Sequence, residues 1–187
     1  MKIRYYNCTI AECVTKDCEA ESKILSEQMA ENARAMSGWA ERYGLTIAAH
    51  EVAQMEADSF ADAWTEAMVA DSLAQSYNHL WIVENDVGTP CGYLLANILG
   101  DETELLRVAV NPESRKDGIG QMLMEAYLLF VQRGSMRGLL EVRHGNIAAK
   151  CLYEKNGYHL LAVRKNYYKH PDEDADIYEI IFTENGE

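Results

Sequence analysis

Apolar residues in this chain fall into two rhythms. Short apolar runs bounded by turn residues read as strands: His79–Glu84, Cys91–Leu99, Glu104–Val110 and Leu139–Val142. Asn85–Pro90 supplies turn chemistry between the first two, which predicts an antiparallel hairpin. Gly100–Thr103 turns the chain again, and Pro112 stops Asn111 from entering a helix. Helical spacing governs the remainder. Leu45–Phe60 and Trp64–Leu73 carry Val52 and Met55, then Trp64, Ala67 and Met68, at such intervals. The run from Gly120 to Arg133 follows the same rule, with Ile119, Met122, Leu123, Ala126 and Phe130 on one face and Gly134 to end it. Asn146 is a good N-cap for a helix over Ile147–Asn156, and Gly157 is its stop. Tyr158–Val163 and Asp176–Phe182 read as a closing antiparallel pair. Strand, helix and strand between residues 104 and 142 imply a parallel pair joined by a right-handed crossover. The class is α+β, a mixed sheet with helices on its faces.

Residues 1–45 are less legible. Lys2–Ile10 fits a strand and Glu19–Met36 a helix that Ser37-Gly38 would end. We read 1–45 as an N-terminal extension or insertion packed on a main domain of residues 46–187. The first strand is either Lys2–Ile10 or is replaced altogether.

The candidate chemistry starts at Arg115-Lys116-Asp117-Gly118-Ile119-Gly120. This loop joins the apolar run Leu105–Val110 to the amphipathic helix. Its position leaves backbone N–H groups unpaired and aimed one way, at the positive end of a helix dipole. Glycine lets a pyrophosphate come close to the backbone, since no Cβ intervenes. A phosphate-bearing cofactor is the expectation. An ordinary tight strand–helix turn is the plainer reading, and Asp117 is an unhelpful charge at an anion site.

Composition narrows the partners. Thirty acidic residues against 17 basic ones give a net charge of −13 over 187 residues. Nucleic acid and anionic membranes would be repelled. A basic partner, such as a cationic peptide, suits such a surface, although solubility alone would also account for it. No apolar run reaches the roughly 18 residues of a membrane span, and the N-terminus lacks a signal peptide's apolar core. A cytoplasmic protein with reduced thiols follows. Cys8, Cys13 and Cys18 lack the C-x-x-C pairing of a zinc site, and Cys91 and Cys151 read as small core residues.

Three segments together resemble the GNAT acetyltransferase superfamily. Val108–Pro112 with Arg115–Gly120 is similar to its [QR]-x-x-G-x-[GA] cofactor signature. Leu140–Ala149 with Leu152–Tyr158 resembles its next strand and helix. Arg164-Lys165-Asn166-Tyr167-Tyr168 with Glu173-Asp174-Ala175 resembles one branch, the bacterial ribosomal-protein N-terminal alanine acetyltransferases. Met55–Thr65, with Phe60 and Trp64, is a weaker fourth match. The resemblance covers about residues 45–182. It implies a mostly antiparallel mixed sheet whose central parallel pair splays apart at an acetyl-CoA site, with helices on both faces.

By that resemblance, the backbone of Val108, Ala109 and Val110 would meet the acetyl and pantetheine portion of acetyl-CoA. Arg115, Lys116, Asp117, Gly118, Ile119, Gly120 and Gln121 would cradle the pyrophosphate, and Asn146 would bind the same cofactor or simply cap its helix. Glu141 would be the general base, since its side chain leaves the strand opposite Leu140 and Val142. The plainer reading of Glu141 is a solvent-facing charge. Tyr153 lies two helical turns from Asn146 and would be the general acid, or else a core aromatic. Tyr167, Tyr168 and Arg164 would shape the acceptor groove, or be edge-strand residues. His144 reads as a surface residue. No metal is expected. The implied activity is acetyl transfer to a primary amine, the N-terminal alanine of a ribosomal protein first, by direct attack on the thioester. A small-molecule amine such as a polyamine or antibiotic, or a non-catalytic acyl-CoA-binding module, are the alternatives.

Overall fold

In a computed structural model, residues 1–7, 10–15 and 38–182 are described. They form eight strands: β1 (Lys2–Asn7), β2 (Ile10–Thr15), β3 (Asn78–Glu84), β4 (Pro90–Leu99), β5 (Glu102–Val110), β6 (Arg137–Arg143), β7 (His159–Tyr168) and β8 (Glu173–Ile181). The helices are α1 (Gly38–Ser59), α2 (Glu66–Leu73), α3 (Ile119–Val131) and α4 (Ile147–Lys155). One sheet runs in the order β2-β1-β3-β4-β5-β6-β8-β7, antiparallel except for β5 and β6. The α+β class and the parallel pair match the sequence expectation.

Strand periodicity sorts side chains to two cores. Trp81, Val83, Leu94, Leu105, Leu140 and Val142 pack with Ile119, Leu123, Met124 and Tyr127 of α3 and Tyr153 of α4. Leu80, Ile82, Tyr93, Leu95 and Ala109 pack on the other face with Val52 and Met55 of α1 and Val69 and Leu73 of α2. Helices therefore cover both faces.

The parallel pair diverges. β5 and β6 are registered from Glu102 opposite Arg137 to Leu105 opposite Leu140, and no further. On the other side of β5, Leu95 pairs with Arg107 and Ala96 with Leu105, so Leu106 is an extra residue. A bulge bends its strand and raises the local twist. It lies where Leu106–Val110 leaves Glu141–Arg143, so the two strands open a gap at their C-terminal ends.

Several expectations change. Gly38 begins α1 instead of ending a helix, and Glu19–Met36 lies outside the described residues. The strand expected over Lys2–Ile10 is realised over Lys2–Asn7, between β2 and β3 in the sheet. The α3 stripe is rotated: Met124, Tyr127 and Val131 are buried with Ile119 and Leu123, whereas Met122, Ala126 and Phe130 are its partly buried margin. Cys151 is exposed, not a core residue, because α4 turns Tyr153 to the core; Cys91 is buried as expected. Among the described residues no three His, Cys, Asp or Glu side chains could hold a metal ion, and no helix is long and apolar enough to cross a membrane.

Candidate active site

The gap between β5 and β6 has a donor-rich end. The first helical backbone bond of α3 runs from Met122 N–H to Gly118 C=O, 3.0 Å. The N–H groups of Lys116 through Gln121 find no acceptor among the described residues. Gly118 adopts φ 81° and Lys116 φ 73°, and such left-handed kinks turn successive N–H groups inward into an anion cradle. A Cβ on Gly120 would sit 3.3 Å from Leu152 Cδ2, so this glycine lets α3 approach α4. Arg115 donates from Nε to Val110 C=O at 3.1 Å, tying the loop to the end of β5. Lys116 and Asp117 are exposed. The Gln121 side chain is spoken for: it exchanges hydrogen bonds with Asn156 at 2.9 and 3.1 Å. Val108 and Val110 face the α3–α4 core and Ala109 the opposite one.

The acid–base candidates flank the same gap from two sides. Asn146 Oδ1 accepts the Ala149 N–H at 3.2 Å and caps α4, while its NH2 has no acceptor among the described residues. Tyr153 is buried, 4% exposed, and its hydroxyl has no protein partner there. Burial first, and the neighbouring Tyr168 second, push its phenol above the ordinary value, so it stays protonated. Glu141 leaves β6 on the other face. Its Oε1 lies 2.6 Å from Arg164 Nη1, and the same carboxylate, beside the Tyr167 hydroxyl, pushes that phenol above its ordinary value.

Two aromatic clusters stand on the face of the sheet that Glu141 occupies. Tyr167 and Tyr168 meet edge-on, centroids 5.2 Å apart, with Arg164 4.7 Å over the first and Arg143 4.3 Å over the second. Burial first, then the Glu141 carboxylate, pushes the Tyr168 phenol above its ordinary value against the opposing charge of Arg143; Asp62, between α1 and α2, adds to the rise. Arg107 lies 4.7 Å over Phe60 and 5.1 Å over Trp64. His144 is exposed as expected, yet pairs with Asp176 at 2.9 Å, where Lys150 joins at 2.8 Å.

Two residues of this wall escaped sequence reasoning. Glu56 is fully buried. It accepts the Trp64 N–H at 2.8 Å and the Tyr93 hydroxyl, with Arg107 Nε 3.7 Å away. Both Glu56 and Arg107 interrupt otherwise apolar stripes, and a lone charge on such a stripe is the signal that could have found them.

A gap between parallel strands, bounded by an unpaired N–H cradle and lined by a carboxylate and a buried phenol, defines an acyl-CoA-dependent transferase. A model of the acetyltransferase (GNAT) domain matches residues 76–160. The chain belongs to the GNAT acetyltransferases, enzymes that use acetyl-CoA as acetyl donor. It is 31% identical over 126 residues to the ribosomal protein bS18-alanine N-acetyltransferase of Escherichia coli strain K12, covering 66% of this chain and 84% of that one. It is 33% identical over 133 residues to the N-alpha-acetyltransferase RimI of Mycobacterium tuberculosis, covering 68% and 82%. The crystal structure of the Escherichia coli ribosomal-protein-S18-alanine N-acetyltransferase superposes with a TM-score of 0.68 at 29% identity, over 76% of this chain and 92% of that one.

Proposed function

We propose that this enzyme acetylates the α-amino group of a protein N-terminus, an alanine of a ribosomal protein foremost. The observation that carries the reading is Glu141, a carboxylate at the mouth of the gap, paired with Arg164 beside the Tyr167–Tyr168 pair. A groove with two aromatic walls suits an extended peptide end, and the relatives named above act on such an end. A net charge of −13 favours encounter with a basic ribosomal segment.

The cradle fits acetyl-CoA. The N–H groups of Lys116–Gln121 would receive the pyrophosphate, with Arg115 and Lys116 adding positive charge. The free edges of Leu106–Val110 and Glu141–Arg143 would receive the amide-bearing pantetheine arm as a missing strand. The Asn146 NH2 would add a donor. When bound, acetyl-CoA supplies the activated acetyl thioester.

The residues then divide the proton work. An α-ammonium has a pKa near 8, so its deprotonation at neutral pH costs only about one unit. Glu141, directly or through one water, takes that proton. The freed amine attacks the acetyl carbon, and backbone N–H groups near Val108 stabilise the oxyanion. Tyr153 donates its proton to the departing sulfur, a step its unpartnered hydroxyl is free to make. Ribosomes and acetyl-CoA place this work in the cytoplasm.

Incubation with labelled acetyl-CoA and a panel of N-terminal peptides, basic ribosomal ones included, tests the proposal. Label on peptide α-amines, strongest with alanine first, supports it. Label confined to polyamines or antibiotics overturns it.

A further inference from the structure

Arg164 and Tyr167 both reach Glu141, although they are three residues apart on β7. In a regular strand such residues face opposite sides. The β7–β8 register explains the exception. Arg164 lies opposite Ala175 and Tyr168 opposite Glu173, so Lys165, Asn166 and Tyr167 share the single partner Asp174. The extra residues let the strand turn Tyr167 back to the face that Arg164 already occupies.

A bulge of this size needs something to hold it, because its backbone groups leave the ladder. Asp174 does this with both oxygens. Oδ1 accepts the Asn166 N–H at 2.8 Å, and Oδ2 pairs with Lys165 Nζ at 2.6 Å. Asn166 takes φ 52°, a left-handed conformation that asparagine tolerates better than most residues. With the bulge fixed, Arg164 Nη1 sits 2.6 Å from Glu141 and stacks 4.7 Å over the Tyr167 ring, whose hydroxyl stands beside the same carboxylate. Glu141 is thereby held from two directions by residues that a flat strand would not bring together.

We propose that Asp174 is a positioning residue for acyl transfer: it locks the β7 bulge that seats Arg164 and Tyr167 against Glu141. Asp174 itself touches neither substrate. The proposal rests on the reading of Glu141 as general base, and it assigns Arg164 to the carboxylate instead of to the acceptor directly.

The test uses the full chain with Asp174→Ala and Asp174→Asn, each also in a Glu141→Gln background. Asp174→Ala is expected to lower kcat/KM for peptide by about 10- to 100-fold, the usual cost of a misplaced reacting group. Acetyl-CoA affinity, read by calorimetry, stays within about twofold. Asp174→Asn keeps an acceptor for the Asn166 N–H and recovers most of the activity. In the Glu141→Gln background, Asp174→Ala adds less than about twofold. Losses that multiply, no recovery in Asp174→Asn, or parental activity in Asp174→Ala overturn the proposal. If the parent enzyme acetylates no peptide, the acceptor assignment falls by itself. The crystal structure of Asp174→Ala then decides the bulge: Arg164 and Tyr167 still on Glu141 would sink it.

Discussion

The buried carboxylate of Glu56 accepts the backbone N–H of Trp64 across eight residues of chain, at 2.8 Å. This one bond turns the segment after α1 into a fixed wall. Arg107 completes it from β5, lying over both Phe60 and Trp64 while facing Glu56. Glu56→Ala leaves the Tyr93 hydroxyl and the Trp64 N–H without their acceptor and takes from Arg107 its buried counter-charge, with Asp62 still beside it. The expected loss is about 3–5 kcal/mol of stability, measured by denaturant unfolding, together with a raised KM for peptide.

The two proton-handling groups separate cleanly by substitution. Glu141→Gln is expected to lower kcat/KM by about 10²–10⁴ while acetyl-CoA affinity is kept, as removal of a general base does. Tyr153→Phe removes a hydroxyl with no partner among the described residues, so its stability cost is about 1 kcal/mol or less, whereas kcat falls about 100-fold. Single-turnover assays beside thermal melts read both. A Tyr153→Phe variant that loses stability but turns over normally would reverse the assignment.

The cradle depends on backbone shape. Gly118 holds φ 81° with open space where a Cβ would stand, so Gly118→Ala meets no clash and only strain. The left-handed conformation costs about 1–2 kcal/mol for a residue with a Cβ. The loop should relax away from it, and acetyl-CoA affinity by calorimetry should drop while peptide affinity is unchanged.

Acid sensitivity has one assignable source away from the site. Burial depresses His79 from 6.5 to about 4, with its Nδ1 against the Tyr5 hydroxyl. Between those values the unfolded chain binds a proton that the folded chain refuses. Stability is complete above pH 6.5, falls as pH drops toward 4 by up to about 1.4 kcal/mol per unit, and then levels off. His79→Gln should flatten that slope in urea titrations at pH 4.5 and 7. A slope unchanged by the substitution assigns the proton uptake elsewhere.

The legible parts of this molecule are those written locally. Asn85–Pro90 and Gly100–Thr103 announce turns by residue type, so β3, β4 and β5 could be placed, and Asn146 announces the start of α4. Glu141 could be assigned a face because Leu140 and Val142 flank it. The bulges at Leu106 and at Lys165–Tyr167 could not be read, since each is a count of residues against a partner strand. The same holds for Arg107 with Glu56 and for Arg164 with Glu141, whose partners lie 51 and 23 residues away by position. The edge of helix α4 was misjudged at Cys151 because three polar residues, Lys150, Glu154 and Lys155, leave the apolar stripe too short to fix its rotation.

The sheet is joined at its centre by four residue pairs alone, Glu102–Leu105 against Arg137–Leu140. Mechanically it is two panels, one of five strands and one of three, sharing a short seam that parts toward the active site. Acetyl-CoA laid into that opening acts as a splint across the panels. Occupancy should therefore register along the opened seam: the amides of Leu106–Val110 and Glu141–Arg143 exchange with solvent readily in the empty enzyme and slowly in the loaded one. The whole domain then melts at a temperature that climbs with acetyl-CoA concentration.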